Sequence, residues 1–425
     1  MTRIARAERG GLPPVLPVPE PDLTPQELID RAAALRPLLR AQQDENDERG
    51  TYSPELHQAF LAAGLYRTMQ PRRFGGYEFD VPTFYKAMVE ISRGHPAAGW
   101  CLTLCASHPF LIASHWPEQA QRELFGPAGH FAAPHRVPAS GTLTPVAGGY
   151  RLSGRWDYCS GIPYSTHFVA GAAIAGADGP PQRRTVVVPA DRLRIVADWG
   201  GDRTLGMQAS GSNSVEIADV FVPAHHVVGF HTSFARPEDM EDGTPGTRLH
   251  GNPMYLGRVA GPYHMSLVAP VVGAAWAALD EFEAIIRARQ TNFPPIVPRA
   301  EHADYQQAFG RGLALADAAQ GLLVRGGELY MEYCRRWAAD GSPITVEDNL
   351  RLWALVQQAG RHACEAVELL FRCTGGSSAT KKGARLARYL RDAEMYRAHP
   401  SAAFESFWAP IGRAHLGLPI DHFGF

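Results

Sequence analysis

Several things are scarce in this 425-residue chain, and each scarcity excludes something. There are six cysteines, at positions 101, 105, 159, 334, 364 and 373, and none forms a C-x-x-C pair. Their density is far below that of a disulfide scaffold, so they read as free thiols in a reducing cytoplasm. Charge of either sign is nearly balanced, 41 Lys and Arg against 43 Asp and Glu. That balance gives no electrostatic reason to expect nucleic acid or an acidic membrane as a partner. No apolar run reaches the roughly 18 residues that a membrane span needs. The opening MTRIARAERGGLPPVLPVPEP has arginines but no apolar core of signal-peptide type, and its prolines and glycines suggest a flexible tail over 1–22. No G-x-G-x-x-G follows a strand, which argues against a nicotinamide site, and no P-loop or nucleophile elbow is present. No H-x-x-x-H or H-E-x-x-H spacing occurs, so His108, His130, His135 and His167 are not expected to hold a metal.

Hydrophobic residues make up 45 %, enough for large cores, and the length suits two to four domains. From about Thr24 to Gly126 the pattern is helical. PDLTPQELID places a Thr cap, a Pro in the first turn and a Glu three residues after the Thr; SPELHQAFLAAG repeats the scheme with Ser53, Pro54 and Gly64. From about His130 to Gly229 short β-branched runs alternate with Gly, Pro and Asp, which predicts a small β-barrel or sandwich. Residues 231–254 read as an exposed connecting loop. Long amphipathic segments then return and predict an antiparallel bundle. The expected division is a helical domain over 23–129, a β domain over 130–230, the loop, and a helical bundle with an extended tail over 255–425.

Four stretches, in this order and at suitable separations, resemble the acyl-CoA dehydrogenase superfamily. They are FGGYEFD (74–80), SGRWDYCSG (153–161), LGMQASGSNSVEIADVFVP (205–223) and CTGGSSATKKGARLARYLRDAEMYRAH (373–399). The resemblance implies an α+β multidomain fold with an all-α N-terminal domain, a central β-barrel and a C-terminal four-helix bundle. Within that superfamily the Ser160-Gly161 strand end, the histidine after the R-D helix, SHPF around His108 and the lack of an I-Y-E-G-T stretch resemble the flavin-dependent two-component monooxygenases. That branch includes 4-hydroxyphenylacetate, secosteroid and polyketide hydroxylases.

The resemblance implies a reduced flavin, FMN or FAD, delivered by a separate NAD(P)H-dependent reductase, with O2 as co-substrate. The flavin would form a C4a-hydroperoxide that hydroxylates a small aromatic, quinone-like or amine substrate. It also implies a homotetramer. Ser160 would contact flavin N5, with Gly161 allowing close approach, although a strand-end serine also commonly bonds backbone. His399, expected on the RDAEMYRAH helix four residues after Met395 and on the same face, would be the substrate base or a proton donor, since imidazole exchanges protons near neutral pH. His108 and His135 would bind the substrate's polar group. Trp156 would pack against the isoalloxazine ring. Arg289 would reach flavin phosphate across a subunit boundary, and Gly375, Gly376, Ser377 and Ser378 would offer backbone amides to phosphate or ribose. Arg388, Arg391 and Asp392 read as a structural ion-pair set. Two alternatives stay open. One is a dehydrogenase with bound FAD and a carboxylate base from among Glu365, Glu368 and Glu394; the other is a catalytically silent homologue.

Overall fold

The structure, a computed structural model, describes residues 14–420 apart from 127, 177–180, 230–241, 258–265, 377–382 and 403. Eight helices come first among the described residues: α1 Pro25–Ala34, α2 Arg36–Ala41, α3 Gln43–Arg49, α4 Pro54–Ala62, α5 Val81–Gly94, α6 Pro96–Ala106, α7 His108–His115 and α8 Glu118–Phe125. Their starts follow the sequence signals. Thr24 Oγ1 accepts the Glu27 N–H while Glu27 accepts the Thr24 N–H, closing the expected capping box. Ser53 Oγ accepts the Leu56 N–H at 3.1 Å, and Gly64 follows α4 with φ of 81°. The FGG turn is equally determined: a Cβ on Gly76 would lie 2.0 Å from the Gln70 carbonyl oxygen. The tail is less free than expected. Leu16 bridges Phe74 and the Pro21 carbonyl accepts from Arg72, which straps the segment to this turn, while Glu20 pairs with Arg31 of α1 at 2.7 Å; residues 1–13 lie outside the described part.

The strands are β1 His135–Val146, β2 Gly149–Trp156, β3 His167–Ile174, β4 Arg183–Pro189, β5 Arg194–Ile195, β6 Val215–Pro223 and β7 Val227–Gly229. They form one sheet in the order β5-β6-β2-β1-β3-β4-β7. β1 pairs antiparallel with β2 and parallel with β3, and its register shifts between Arg136 and Gly141. Among the described residues no ladder joins β5 to β7, so the sheet is open and the expected closed barrel is not formed by pairing. Alternating side chains of β1–β4 and β6 make a separate small core around Leu152, Trp156 and Phe168.

Helices resume with α9 Pro245–His250, then α10 Ala269–Ala288, α11 Ala303–Asp340, α12 Val346–Thr374, α13 Arg385–Arg397 and α14 Trp408–His415. The expected loop over 231–254 therefore contains a helix. Its signals were in the sequence: Thr244 caps, Pro245 opens and Gly251 closes with φ of 67°. The N-terminal and C-terminal helices share one hydrophobic core, in which Phe84, Tyr85 and Met88 of α5 join Val271, Val272 and Ala275 of α10. The helices approach closely where Gly273 faces Ser92; a Cβ there would lie 2.3 Å from the serine Cβ. One stretch, Pro96–His115, is long and apolar enough to cross a membrane, contrary to the sequence reading, and is 94 % buried inside this core.

Candidate functional site

The turn after β2 sets the site. Gly161 has φ of 91°, a conformation that glycine adopts without strain. Its N–H donates to the carbonyls of Ser210 and Gly211, both at 3.0 Å, and a Cβ would sit 2.3 Å from Cys105 Sγ on α6. The turn is thus wedged between α6 and the 207–214 segment. That wedge fixes Ser160, whose buried hydroxyl lies 2.7 Å from Ser212 Oγ, itself 2.6 Å from Ser210 Oγ.

Trp100, on α6, donates its indole N–H to Ser160 Oγ at 3.2 Å. Its ring also meets His399 edge-on, with centroids 5.7 Å apart and planes at 73°. One tryptophan therefore joins the β2 turn to the C-terminal helices. His399 is not on the helix as expected. α13 ends at Arg397, and His399 lies in the following turn, its N–H bonded to the Tyr396 carbonyl at 2.9 Å. His399 Nδ1 accepts the Ser401 N–H at 3.1 Å, so the neutral ring carries its proton on Nε2. Burial, with a smaller repulsion from Arg136, pushes its pKa down to about 4.

His108 opens α7 with Nδ1 2.6 Å from the Ala133 carbonyl, so this nitrogen donates and the lone pair of the neutral ring is on Nε2. Burial lowers its pKa to about 4. His135, at the start of β1, meets it edge-on with centroids 5.7 Å apart. Burial, His108 and Arg136 together hold His135 well below the ordinary range. The charge of Arg136 lowers the pKa of both His135 and His399.

The other expected residues separate from this group. Trp156 does not face it. Its ring is buried in the sheet core against Phe168, and its N–H is used by the Gly171 carbonyl at 3.0 Å, because β2 turns alternate side chains inward. Arg289 and the Gly375-Gly376 pair lie at one end of the bundle. Buried Arg299 links them, its N–H on the Arg289 carbonyl at 2.8 Å and its guanidinium on the Thr374 carbonyl at 2.9 Å. Arg289, Gly375 and Gly376 are exposed there; Ser377 and Ser378 lie outside the described residues. Arg388 is the structural ion pair expected, bonding Asp47 at 2.7 Å and also Asp44. Asp392 does something else: its Oδ1 accepts the Met207 N–H at 2.6 Å.

Sequence reading missed Trp100, Ser210, Ser212 and Arg136. The serines stand inside the quoted 205–223 stretch and were legible as polar residues there; Trp100 and Arg136 carry no local signal. The site is chemically suited to a polar ring system. Thr103 Oγ1, one turn beyond Trp100, and Arg136 Nε are buried and have no hydrogen-bond partner among the described residues, a cost that a bound acceptor or donor removes. Glu365, Glu368 and Glu394, the carboxylates that a dehydrogenase would need, are half-exposed and paired with Arg311 or Arg397.

Residues 265–404 match the family described as acyl-CoA dehydrogenase, C-terminal domain. Over nearly its whole length the chain is similar to oxygenase components of flavin-dependent monooxygenases. It is 28 % identical to a pigment production hydroxylase of Rhodococcus sp. (strain ATCC 21145), covering 94 % of this chain and 99 % of that one. It is 26 % identical to the flavin-dependent monooxygenase oxygenase subunit HsaA of Rhodococcus jostii (strain RHA1), covering 92 % and 99 %. The structure of XiaF from Streptomyces sp. in complex with FADH2 and glycerol superposes with a TM-score of 0.83 at 24 % identity, covering 94 % and 98 %. The sequence resemblance is borne out, and the acyl-CoA dehydrogenase-like fold with it.

Proposed function

We propose that this chain is the oxygenase component of a two-component flavin-dependent monooxygenase. It takes reduced FMN or FAD from a separate NAD(P)H-dependent reductase and uses O2 to hydroxylate a small aromatic, quinone-like or amine substrate in the cytoplasm. The observation that carries this is Trp100, which hydrogen-bonds Ser160 and packs against His399, so that two distant chain segments share one buried polar site. When bound, the reduced flavin supplies the electrons that activate oxygen.

The residues then have distinct tasks. Trp100 can only donate, so Ser160 Oγ accepts from it. If Ser210 donates to Ser212 and Ser212 to Ser160, the Ser160 proton is free to point out of the chain toward the flavin ring. His399, a neutral ring, offers its Nε2–H as a hydrogen-bond donor, which is the side of its two expected roles that this tautomer supports. His108 offers an Nε2 lone pair and is the better candidate to accept a substrate proton. His135 orients it, and Arg136 draws anionic groups to the site. The surrounding core excludes water. The helical, barrel-like and bundle regions serve as the three expected domains of this scaffold.

A homotetramer completes the reading. Phe293 and Ile296, 81 % and 55 % exposed, stand beside Arg289 and the Gly375-Gly376 end, which supports a subunit contact that brings these groups to a flavin phosphate.

The test is rapid mixing of the purified chain with reduced FMN or FAD, oxygen and a panel of phenols. Hydroxylated product with suppressed hydrogen peroxide release is the expected result. Bound oxidised FAD that an acyl-CoA bleaches without oxygen, and no hydroxylation, would overturn the proposal in favour of a dehydrogenase.

A further inference from the structure

Glu123 stands in the last turn of α8, and His225 and His226 form the short 3-10 turn between β6 and β7. Both histidines point Nε2 at the same carboxylate oxygen, Glu123 Oε2, each at 2.8 Å. The three donor atoms all lie within 4.8 Å of one another. The two rings are nearly perpendicular, 83° between planes with centroids 4.7 Å apart, so they converge on one point from different directions. The support is rigid on one side: the His226 carbonyl accepts the buried Trp116 indole N–H at 3.1 Å. On the other side Gln119 reaches Glu123 Oε1 at 3.4 Å, which directs Oε2 at the imidazoles.

We infer that Glu123, His225 and His226 bind a divalent late transition-metal ion, for which zinc is the probe. Two imidazoles and a carboxylate are the borderline donor set that such ions prefer. Bonds of about 2.0–2.2 Å in a tetrahedral arrangement put neighbouring donors about 3.3 Å apart. The present 2.8 Å contacts need to open by about half an ångström, with the two imidazole nitrogens, within 4.8 Å of each other, settling at the same spacing. Glu123 faces open space shared with Glu118, Gln119 and Arg122, which leaves room for water in the remaining coordination position. The ion replaces the Nε2 protons of both rings, which move to Nδ1. It staples the N-terminal helices to the β6–β7 corner and takes no part in the oxygenase chemistry proposed above. No H-x-x-x-H spacing announces the site, because its ligands come from two segments about a hundred residues apart, and the expectation of no metal is revised on this geometry.

The test needs tag-free, chelator-treated full-length protein. Zinc is titrated against a chromophoric chelator at pH 7.5, for wild type, His226→Ala, His225→Asn and Glu123→Gln. One tight site per chain is expected, weakened at least tenfold in each variant. Zinc should raise the thermal midpoint of wild type and not of the variants; far-UV circular dichroism without metal checks that each variant folds. Zinc binding of equal affinity in wild type and folded variants, or no stoichiometric site in wild type, overturns the inference. Neither readout involves flavin, so its failure is separate from any failure of the oxygenase proposal.

Discussion

Ser160 can keep its proton turned outward only while something else donates to its oxygen. Trp100 supplies that donor at 3.2 Å and Ser212 a second partner at 2.7 Å. Trp100→Phe keeps the ring beside His399 but deletes the N–H, at a stability cost of about 1 kcal/mol. The expected outcome is a several-fold rise in hydrogen peroxide released per reduced flavin, as in Ser160→Ala, with folding intact. Unchanged coupling in both variants would remove the serine from the site. His399→Asn, by contrast, should slow product formation more than it raises peroxide release in single-turnover assays. At this scale the sequence was partly legible. Ser160 and His399 are polar groups in recognisable motifs, whereas Trp100 looks like any aromatic in the apolar helix GWCLTLCA. Trp156 misled for the same reason, since a tryptophan shortly before a turn has no local mark of which face of the sheet it occupies.

The 206–212 segment is held by single contacts rather than by regular structure. Met207 has φ of 51°, and its N–H is bonded by the fully buried Asp392. Burial, and then the charge of Asp47, push the Asp392 carboxyl up to about 7, while the Met207 N–H, Arg388 and Arg391 pull the other way; Asp44 and His95 face the same Arg388–Asp47 pair. A raised folded-state value means that the native chain holds a proton which the unfolded chain loses, between about pH 4 and 7. The corresponding stability is complete below that window and lost as pH rises through it. Asp392→Asn should remove this opposing slope, read as a larger net rise in urea midpoint from pH 5 to pH 7 than wild type shows. In the neighbouring turn, Gly161→Ala must adopt positive φ and push Cys105 away. A loss of about 1–3 kcal/mol in chemical denaturation is expected, with weaker coupling. Caps and glycine stops made the helices readable here. α9 was overlooked although Thr244, Pro245 and Gly251 mark it, because six residues are too few to show periodicity.

The molecule as a whole carries an acid-sensitive set of histidines. Burial pushes His108, His167 and His399 down to about 4 and His250 to about 3, and His135 is also strongly lowered. These rings stay neutral in the native state while the unfolded chain takes up protons below its ordinary 6.5. Their stability contribution is present above that pH and lost as pH falls toward 4, by up to about 1.4 kcal/mol per pH unit for each group. Five histidines outweigh the opposite slope of Asp392. Thermal midpoints should therefore drop steeply between pH 6.5 and 4, and a flat profile there would show that the histidines are solvated. At this scale the order helix, strand, helix was legible from periodicity. Sheet closure was not, since it depends on whether two edge strands meet across space.

The shared core of α5 and α10 has a consequence for how the chain is made. Residues of α5 leave the ribosome nearly two hundred positions before their partners on α10. Until then Phe84, Tyr85 and Met88 lack their α10 partners, and apolar surface exposed in this way favours aggregation. A truncated chain ending at residue 229 should be recovered in inclusion bodies, and supplying 245–420 in trans should rescue it.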